Sequence, residues 1–166
     1  MPARPHATYA FDRLPTPLGE LLIAADATAL IGAWFEGQKD FPDIHGWSAD
    51  ARHLVLKQAK QQLDAYFQGK RQAFDLPLHF AWGTEFQRAV WAALLEIPHG
   101  QICSYSDMAQ RVGRPAAVRA VGGAIGLNPI SIVVPCHRVL GRNGSLTGYT
   151  GGLDRKRALL ELEGRG

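Results

Sequence analysis

Cys136 and His137 are the residues of this 166-residue chain whose types and adjacency carry chemistry, within Val133-Val134-Pro135-Cys136-His137-Arg138-Val139. Cysteine attacks as the thiolate, a free thiol has a pKa of about 8.5, and an adjacent base or positive field favours its ionised form. An imidazole can take the thiol proton, provided an acceptor on its other nitrogen fixes the tautomer. The pair alone suits a small buried hydrophobe as well as a nucleophile. The β-branched run before Pro135 predicts a strand that stops at the proline and presents the sulfur at its end. The other cysteine, Cys103, follows Gln101-Ile102 with no neighbouring base and is expected to be a structural thiol.

Other elements must hold that thiol in place. Thr84 and Gln87 have the spacing of a capping box and predict a helix to about Ile97, with Phe86, Val90, Leu94 and Ile97 buried and Trp91 at the edge. Ser104 with Asp107 predicts a short helix to Val112. Gly113-Arg114-Pro115 then turns the chain into a helix over residues 116–127, starting at Ala116, and the pair has the outline of a helix-turn-helix. On that second helix Val118, Val121 and Ile125 share one face, while Arg119, Gly122, Gly123 and Gly126 share another. Each glycine costs about 0.8–1 kcal/mol of helix propensity relative to alanine, so a stripe of them implies close approach to the backbone. A packed helix and a nucleic-acid groove both fit the stripe, and the isolated Arg119 favours the groove.

Before residue 84 the pattern is strand-rich. Runs over 7–13, 20–25 and 30–35, separated by Pro15, Pro17-Leu18-Gly19 and Asp26-Ala27-Thr28, predict an antiparallel meander. Leu56, Ala59, Leu63, Tyr66 and Phe67 predict a helix over 50–68 that ends before Gly69. Trp34, Phe35, Tyr66 and Phe67 are expected in the core. The fold class is α+β: a small antiparallel sheet plus helix domain over 1–82, and a mostly helical domain over 83–166 with a winged-helix-like helix-turn-helix and the reactive Cys.

Composition agrees with a compact protein, 46% hydrophobic and 20% charged, and no internal repeat interrupts it. Two cysteines are too few for a disulfide framework or a cysteine-rich zinc site, which points to a reducing compartment: the cytoplasm, or the nucleus in a eukaryote. No apolar leader opens the chain, and no run approaches the ~18 apolar residues of a membrane span. From Thr84 onward 10 Lys/Arg stand against 6 Asp/Glu, a net +4, whereas the part before it carries −1. The basic half is the half with the thiol, and a polyanionic partner suits it.

Further motifs surround the Cys: Ser104-Tyr105, Arg119-Ala120-Val121-Gly122-Gly123-Ala124, Asn128-Pro129, Gly148-Tyr149, Gly151-Gly152-Leu153 and Leu159-Leu160-Glu161-Leu162-Glu163-Gly164. Together with the Pro-Cys-His-Arg-Val run they resemble the O6-alkylguanine-DNA alkyltransferases, in unbroken order from about Thr84 to Gly164. The N-terminal half fits in length and strand-rich character. The resemblance implies that the second helix enters the minor groove, with Ala116, Gly122 and Gly123 against DNA and Arg119 filling the gap left by an extruded nucleotide. It implies that Cys136 takes the alkyl group and keeps it, that His137 takes the thiol proton through a water, and that Glu163 orients His137. Tyr105 is implied to crowd the phosphate backbone and to give a proton to the departing guanine. Asn128 is implied to hold the helix and the Cys segment in register, and Val139, Tyr149, Thr150 and Gly151 to form the pocket wall beside Cys136.

The expected partner is double-stranded DNA containing O6-alkylguanine, with O4-alkylthymine as an alternative lesion. The expected protein is a monomer with no cofactor and no metal. Three rivals are weighed by single features. A non-enzymatic alkyltransferase-like lesion binder would carry tryptophan at Cys136. A cysteine hydrolase would need an oxyanion hole, for which no motif speaks, and would leave the glycine stripe unexplained. A bifunctional regulator of this family would add a cysteine-ligated zinc module, for which the chain has too few cysteines.

Overall fold

The computed structural model describes residues 8–164. Four strands, β1 (Ala10–Thr16), β2 (Gly19–Ala25), β3 (Leu30–Phe35) and β4 (Ser48–Ala49), form one sheet in the order β3-β2-β1-β4. The first three make the expected antiparallel meander, and β4 adds parallel to β1. The expected start of the first strand at residue 7 lies outside the described residues. Pro15 does not turn the chain but stays in β1, opposite Glu20. Because β4 covers only Ala10 and Phe11, β1 is an edge strand at Pro15, where proline is tolerated.

β2 is buried on both faces, and its side chains divide with period two. Leu21, Ile23 and Ala25 enter the main core, whereas Leu22 and Ala24 join an aromatic cluster with Tyr9, Trp34 and Trp82. Trp34 folds over Gly32, where a Cβ would fall 1.9 Å from its ring. The outer edge of β3 is closed by two later segments. Leu30 bonds Pro77 and His79, and Ala33 exchanges bonds with Pro129 and Ser131 at 2.8 and 3.0 Å. Edge closure thus fastens the approach to Cys136 onto the N-terminal sheet.

Helix α1 (Leu54–Phe67) begins four residues later than its apolar pattern suggests, because His53 caps it by accepting from the Val55 N–H. Helix α2 (Glu85–Leu94) has the predicted capping box, with both Thr84–Gln87 bonds formed. It ends at Leu94, where the next three N–H groups turn to carbonyls three residues back. Trp91 is not at the edge of this helix: its ring is 1% exposed and its indole N–H donates to the Ala124 carbonyl at 2.7 Å.

Helix α3 (Tyr105–Arg111) carries the predicted Ser104–Asp107 box, and α4 (Val118–Gly126) follows the turn. α4 starts two residues later than expected, leaving Ala116 exposed in a turn closed by the Ala117 N–H donating to the Arg114 carbonyl at 2.9 Å. Short β5 (Cys103–Ser104) pairs in parallel with β6 (Val139–Leu140), and α5 (Leu153–Leu162) closes the chain. One hydrophobic core joins sheet residues Leu21 and Phe35, Leu56 and Leu63 of α1, and Val90, Val121, Val139 and Leu159 of the C-terminal half. Among the described residues no helix is long and apolar enough to cross a membrane.

The run before Pro135 is a compact loop and not the expected strand. The Asn128 side chain accepts from the Ile130 N–H at 3.0 Å and donates to the Val134 carbonyl at 2.9 Å, which folds the segment back on itself. Ile132 completes the bend at φ 74°, a conformation costly for a β-branched residue, and is buried there.

Candidate active site

Cys136 opens a single 3-10 turn, Cys136–Arg138, that leads into β6. Its thiol is buried, hydrogen-bonded by the Asn128 side chain and within the field of the Lys156 ammonium. Burial pushes the thiol pKa up despite both favourable contacts. The resting nucleophile is therefore a neutral thiol, and its proton must leave when it attacks.

His137 is fully buried, and its Nε2 lies 2.8 Å from Glu163 Oε2. Burial lowers the imidazole pKa while Glu163 opposes that shift, so the ring rests neutral. The ionised carboxylate assigns the proton to Nε2, which makes Nδ1 the basic nitrogen. Nδ1 is buried with no hydrogen-bonding partner among the described residues. A neutral thiol beside a neutral imidazole with a free basic nitrogen is a general-base arrangement.

Glu163 caps the C-terminus of α5 and gathers four donors. His137 Nε2, Arg138 Nη2 at 2.9 Å and the Tyr66 hydroxyl at 2.6 Å converge on Oε2, and Arg138 Nε reaches Oε1 at 2.8 Å. Although burial alone would raise it, these contacts hold the carboxyl pKa far below the usual range. Arg138 also donates to the Ile97 carbonyl at 2.6 Å.

Arg138, Tyr66 and Lys156 were not among the expected site residues, and Tyr66 was expected only as core. Adjacency to His137 could have raised Arg138. Tyr66 lies 97 positions from Glu163, and no local signal connects them. Lys156 is the surprise by type: it is fully buried in α5, with Nζ donating to the carbonyls of Val139 at 2.6 Å and Thr147 at 2.8 Å. It sits 5.8 Å from the Tyr105 ring centre, and burial lowers its pKa to about 8.

A cleft of about 550 Å³ opens beside these groups, lined by Tyr105, the backbone of Gly122 and Gly123, Tyr149 and Thr150, with Lys39 and Asp40 from the N-terminal half. A Cβ at Gly123 or Gly126 would meet nothing within 4 Å, whereas one at Gly122 would lie 3.7 Å from the Tyr105 ring, so this face of α4 is open except where Tyr105 covers it. The Tyr105 hydroxyl donates to the Thr147 carbonyl at 3.2 Å, and Thr150 ties its loop to the end of α4 through the Gly126 carbonyl at 3.0 Å. Tyr105 and Tyr149 both stand close enough to Cys136 for its charge to oppose their ionisation. Val139 is buried and does not line the cleft; its carbonyl is held by Lys156. Gly151 does not line this cleft either, and its carbonyl accepts from Arg155 at 2.9 Å. Arg119 and Ala116 are exposed and do not line the cleft. Among the described residues no three His, Cys, Asp or Glu side chains converge as a metal site.

Fold and site together define a two-domain α+β protein in which a buried thiol, followed by a buried imidazole, stands close to two tyrosines that line a helix-turn-helix cleft. Two family models match it: "6-O-methylguanine DNA methyltransferase, ribonuclease-like domain" over residues 7–80 and "6-O-methylguanine DNA methyltransferase, DNA binding domain" over residues 85–165. The methylated-DNA–protein-cysteine methyltransferase of Mycobacterium tuberculosis is 47% identical over 150 residues, spanning 90% of this chain and 89% of the relative. The inducible Bacillus subtilis protein of the same name is 60% identical over 104 residues, 63% of this chain and 58% of its own. The structure of Mycobacterium tuberculosis OGT in complex with DNA matches with a TM-score of 0.85 at 44% identity, covering 95% of this chain and 92% of that one. The chain belongs to the methylated-DNA–protein-cysteine methyltransferase family.

Proposed function

We propose that the protein repairs duplex DNA by moving the alkyl group of O6-alkylguanine, once and irreversibly, onto Cys136. One observation carries this reading: a neutral buried thiol adjoins a neutral imidazole with an unpaired basic nitrogen, next to a cleft whose helical wall is bare glycine backbone. Such a wall admits a nucleic-acid backbone closely. Arg119 projects from the same helix and fills the stack when the damaged nucleotide turns into the cleft.

The transfer is a displacement at saturated carbon. His137 Nδ1 takes the thiol proton through a bridging water, the Cys136 sulfur forms a bond to the alkyl carbon, and the bond from that carbon to guanine O6 breaks. The guanine leaves with its electron pair and takes a proton from Tyr105, which the imidazolium then restores. Net, the thiol hydrogen is exchanged for the alkyl group and guanine is regenerated. The resulting thioether has no good leaving group, so the protein does not turn over. Glu163 keeps the imidazole oriented, Asn128 holds the Cys loop to the end of α4, and Tyr149, Thr150 and Val139 bound the base. O4-alkylthymine is the alternative lesion. The protein works as a monomer, without a cofactor, in a reducing compartment that leaves both cysteines free.

Labelled alkyl transfer tests the assignment. Cys103→Ser should accept label as the native protein does, and Cys136→Ser should bind alkylated duplex but accept none. Label retained in Cys136→Ser would overturn it.

A further inference from the structure

We infer that the N-terminal domain supplies a positioning residue for the transfer: Tyr66, on α1, donates its hydroxyl to the same Glu163 oxygen that holds His137. This rests on the alkyl-transfer reading and assigns the N-terminal half a part in it. Glu163 Oε2 receives Tyr66 at 2.6 Å, His137 at 2.8 Å and Arg138 at 2.9 Å. A carboxylate oxygen has two lone pairs, so three donors compete for it. The shortest contact is from Tyr66, whose ring is 1% exposed. Phe67, Phe74 and His99 pack around that ring, which fixes the hydroxyl's direction.

Competition has a chemical result. The more density Oε2 gives to Tyr66, the less it gives to the His137 Nε2–H, and the less it stabilises the imidazolium. Tyr66 thus keeps His137 neutral and its Nδ1 available as a base at physiological pH. Several groups face His137. Arg138 and Cys136 come from its own turn, Glu163 and Lys156 from α5, Tyr66 from α1 and Tyr149 from the loop before α5. Arg138 and Lys156 are cationic and also oppose imidazolium, while Glu163 favours it. Tyr66 acts on His137 through Glu163, to which its hydroxyl is directly bonded.

Tyr66→Phe keeps the ring and removes the donor. Glu163 then binds imidazolium more strongly, so the acid limb of the pH–rate profile for alkyl transfer should move up by about one pH unit. The His137 imidazole titration, read by nuclear magnetic resonance, should move the same way. A purely structural role would lower the rate equally at all pH values and leave the titration in place. Site-specific difluorotyrosine at position 66, a stronger donor of nearly the same shape, should move both curves down and covers the case in which the phenylalanine variant does not fold. Unshifted curves in both variants would overturn the inference, as would shifts in the opposite directions. Failure of the native protein to accept an alkyl group would instead refute the transfer reading, and the imidazole titration still reads Tyr66 in that case.

Discussion

At the scale of single residues, Glu163 is the keystone of the site because it is a buried anion with all of its stabilisation supplied by neighbours. Removing one member of a buried ion pair leaves the other charge uncompensated, which costs roughly 3–5 kcal/mol. Glu163→Gln should therefore destabilise the fold by about that much in chemical denaturation, with Arg138 stranded. The pH dependence has a defined sign. A carboxyl whose folded pKa is depressed binds fewer protons folded than unfolded, so its contribution is complete above its ordinary value of 4.5 and declines as pH falls below it. Acid unfolding of Glu163→Gln should be correspondingly shallower than that of the native protein. Arg119 belongs to a separate task. Its guanidinium is exposed, so Arg119→Ala should leave stability within about 0.5 kcal/mol. The same change should slow repair of duplex DNA far more than reaction with free O6-benzylguanine, since only the duplex must be unstacked. Equal losses on the two substrates would assign Arg119 to the pocket.

At the scale of elements, α4 trades helix propensity for access. Gly123 faces open space with ordinary helical geometry, so a side chain fits without strain. Gly123→Leu should raise thermal stability slightly, because the helix gains up to about 1 kcal/mol of propensity. It should also weaken binding to duplex DNA, while reaction with the free base stays near native. Undiminished DNA affinity would mean that another surface meets the duplex. The same elements show which local signals the sequence carries openly. Both capping boxes were legible because their partners lie three residues apart, and the glycine stripe because it follows the helical period. The strand expected before Pro135 was a misreading of β-branched residues. Their backbone is captured instead by Asn128 and by the edge of β3, and propensity yields to those tertiary bonds. Trp91 was placed at an edge because periodicity shows a helical face but not that a second helix covers its flank.

Across the whole molecule, the site is assembled by contacts that no short window of sequence contains. Cys136, His137 and Glu163 were readable from motifs in the C-terminal half, but the hydroxyl that completes the carboxylate's surroundings comes from α1. Burial of Lys156 was equally hidden, since a lysine on an amphipathic helix ordinarily lies in solvent. Its ammonium fastens Val139 to Thr147, so Lys156→Met should strand the buried Val139 carbonyl, leave the exposed Thr147 carbonyl to Tyr105 and solvent, and reduce transfer from duplex and free base alike. The basic surplus of the C-terminal half belongs to this scale too. DNA affinity should fall steeply as salt rises and depend little on sequence, because the glycine face has few side chains to read base edges. A binding site with a strong sequence motif, insensitive to ionic strength, would instead indicate a regulator.

Single, irreversible alkylation of Cys136 is tested most directly by intact-mass measurement after incubation with excess duplex containing O6-methylguanine. Each chain should gain one methyl group, mapped by peptide fragmentation to Cys136, with guanine restored in the DNA and no further repair by the modified protein. Continued turnover, or a methyl group on Cys103, would contradict it.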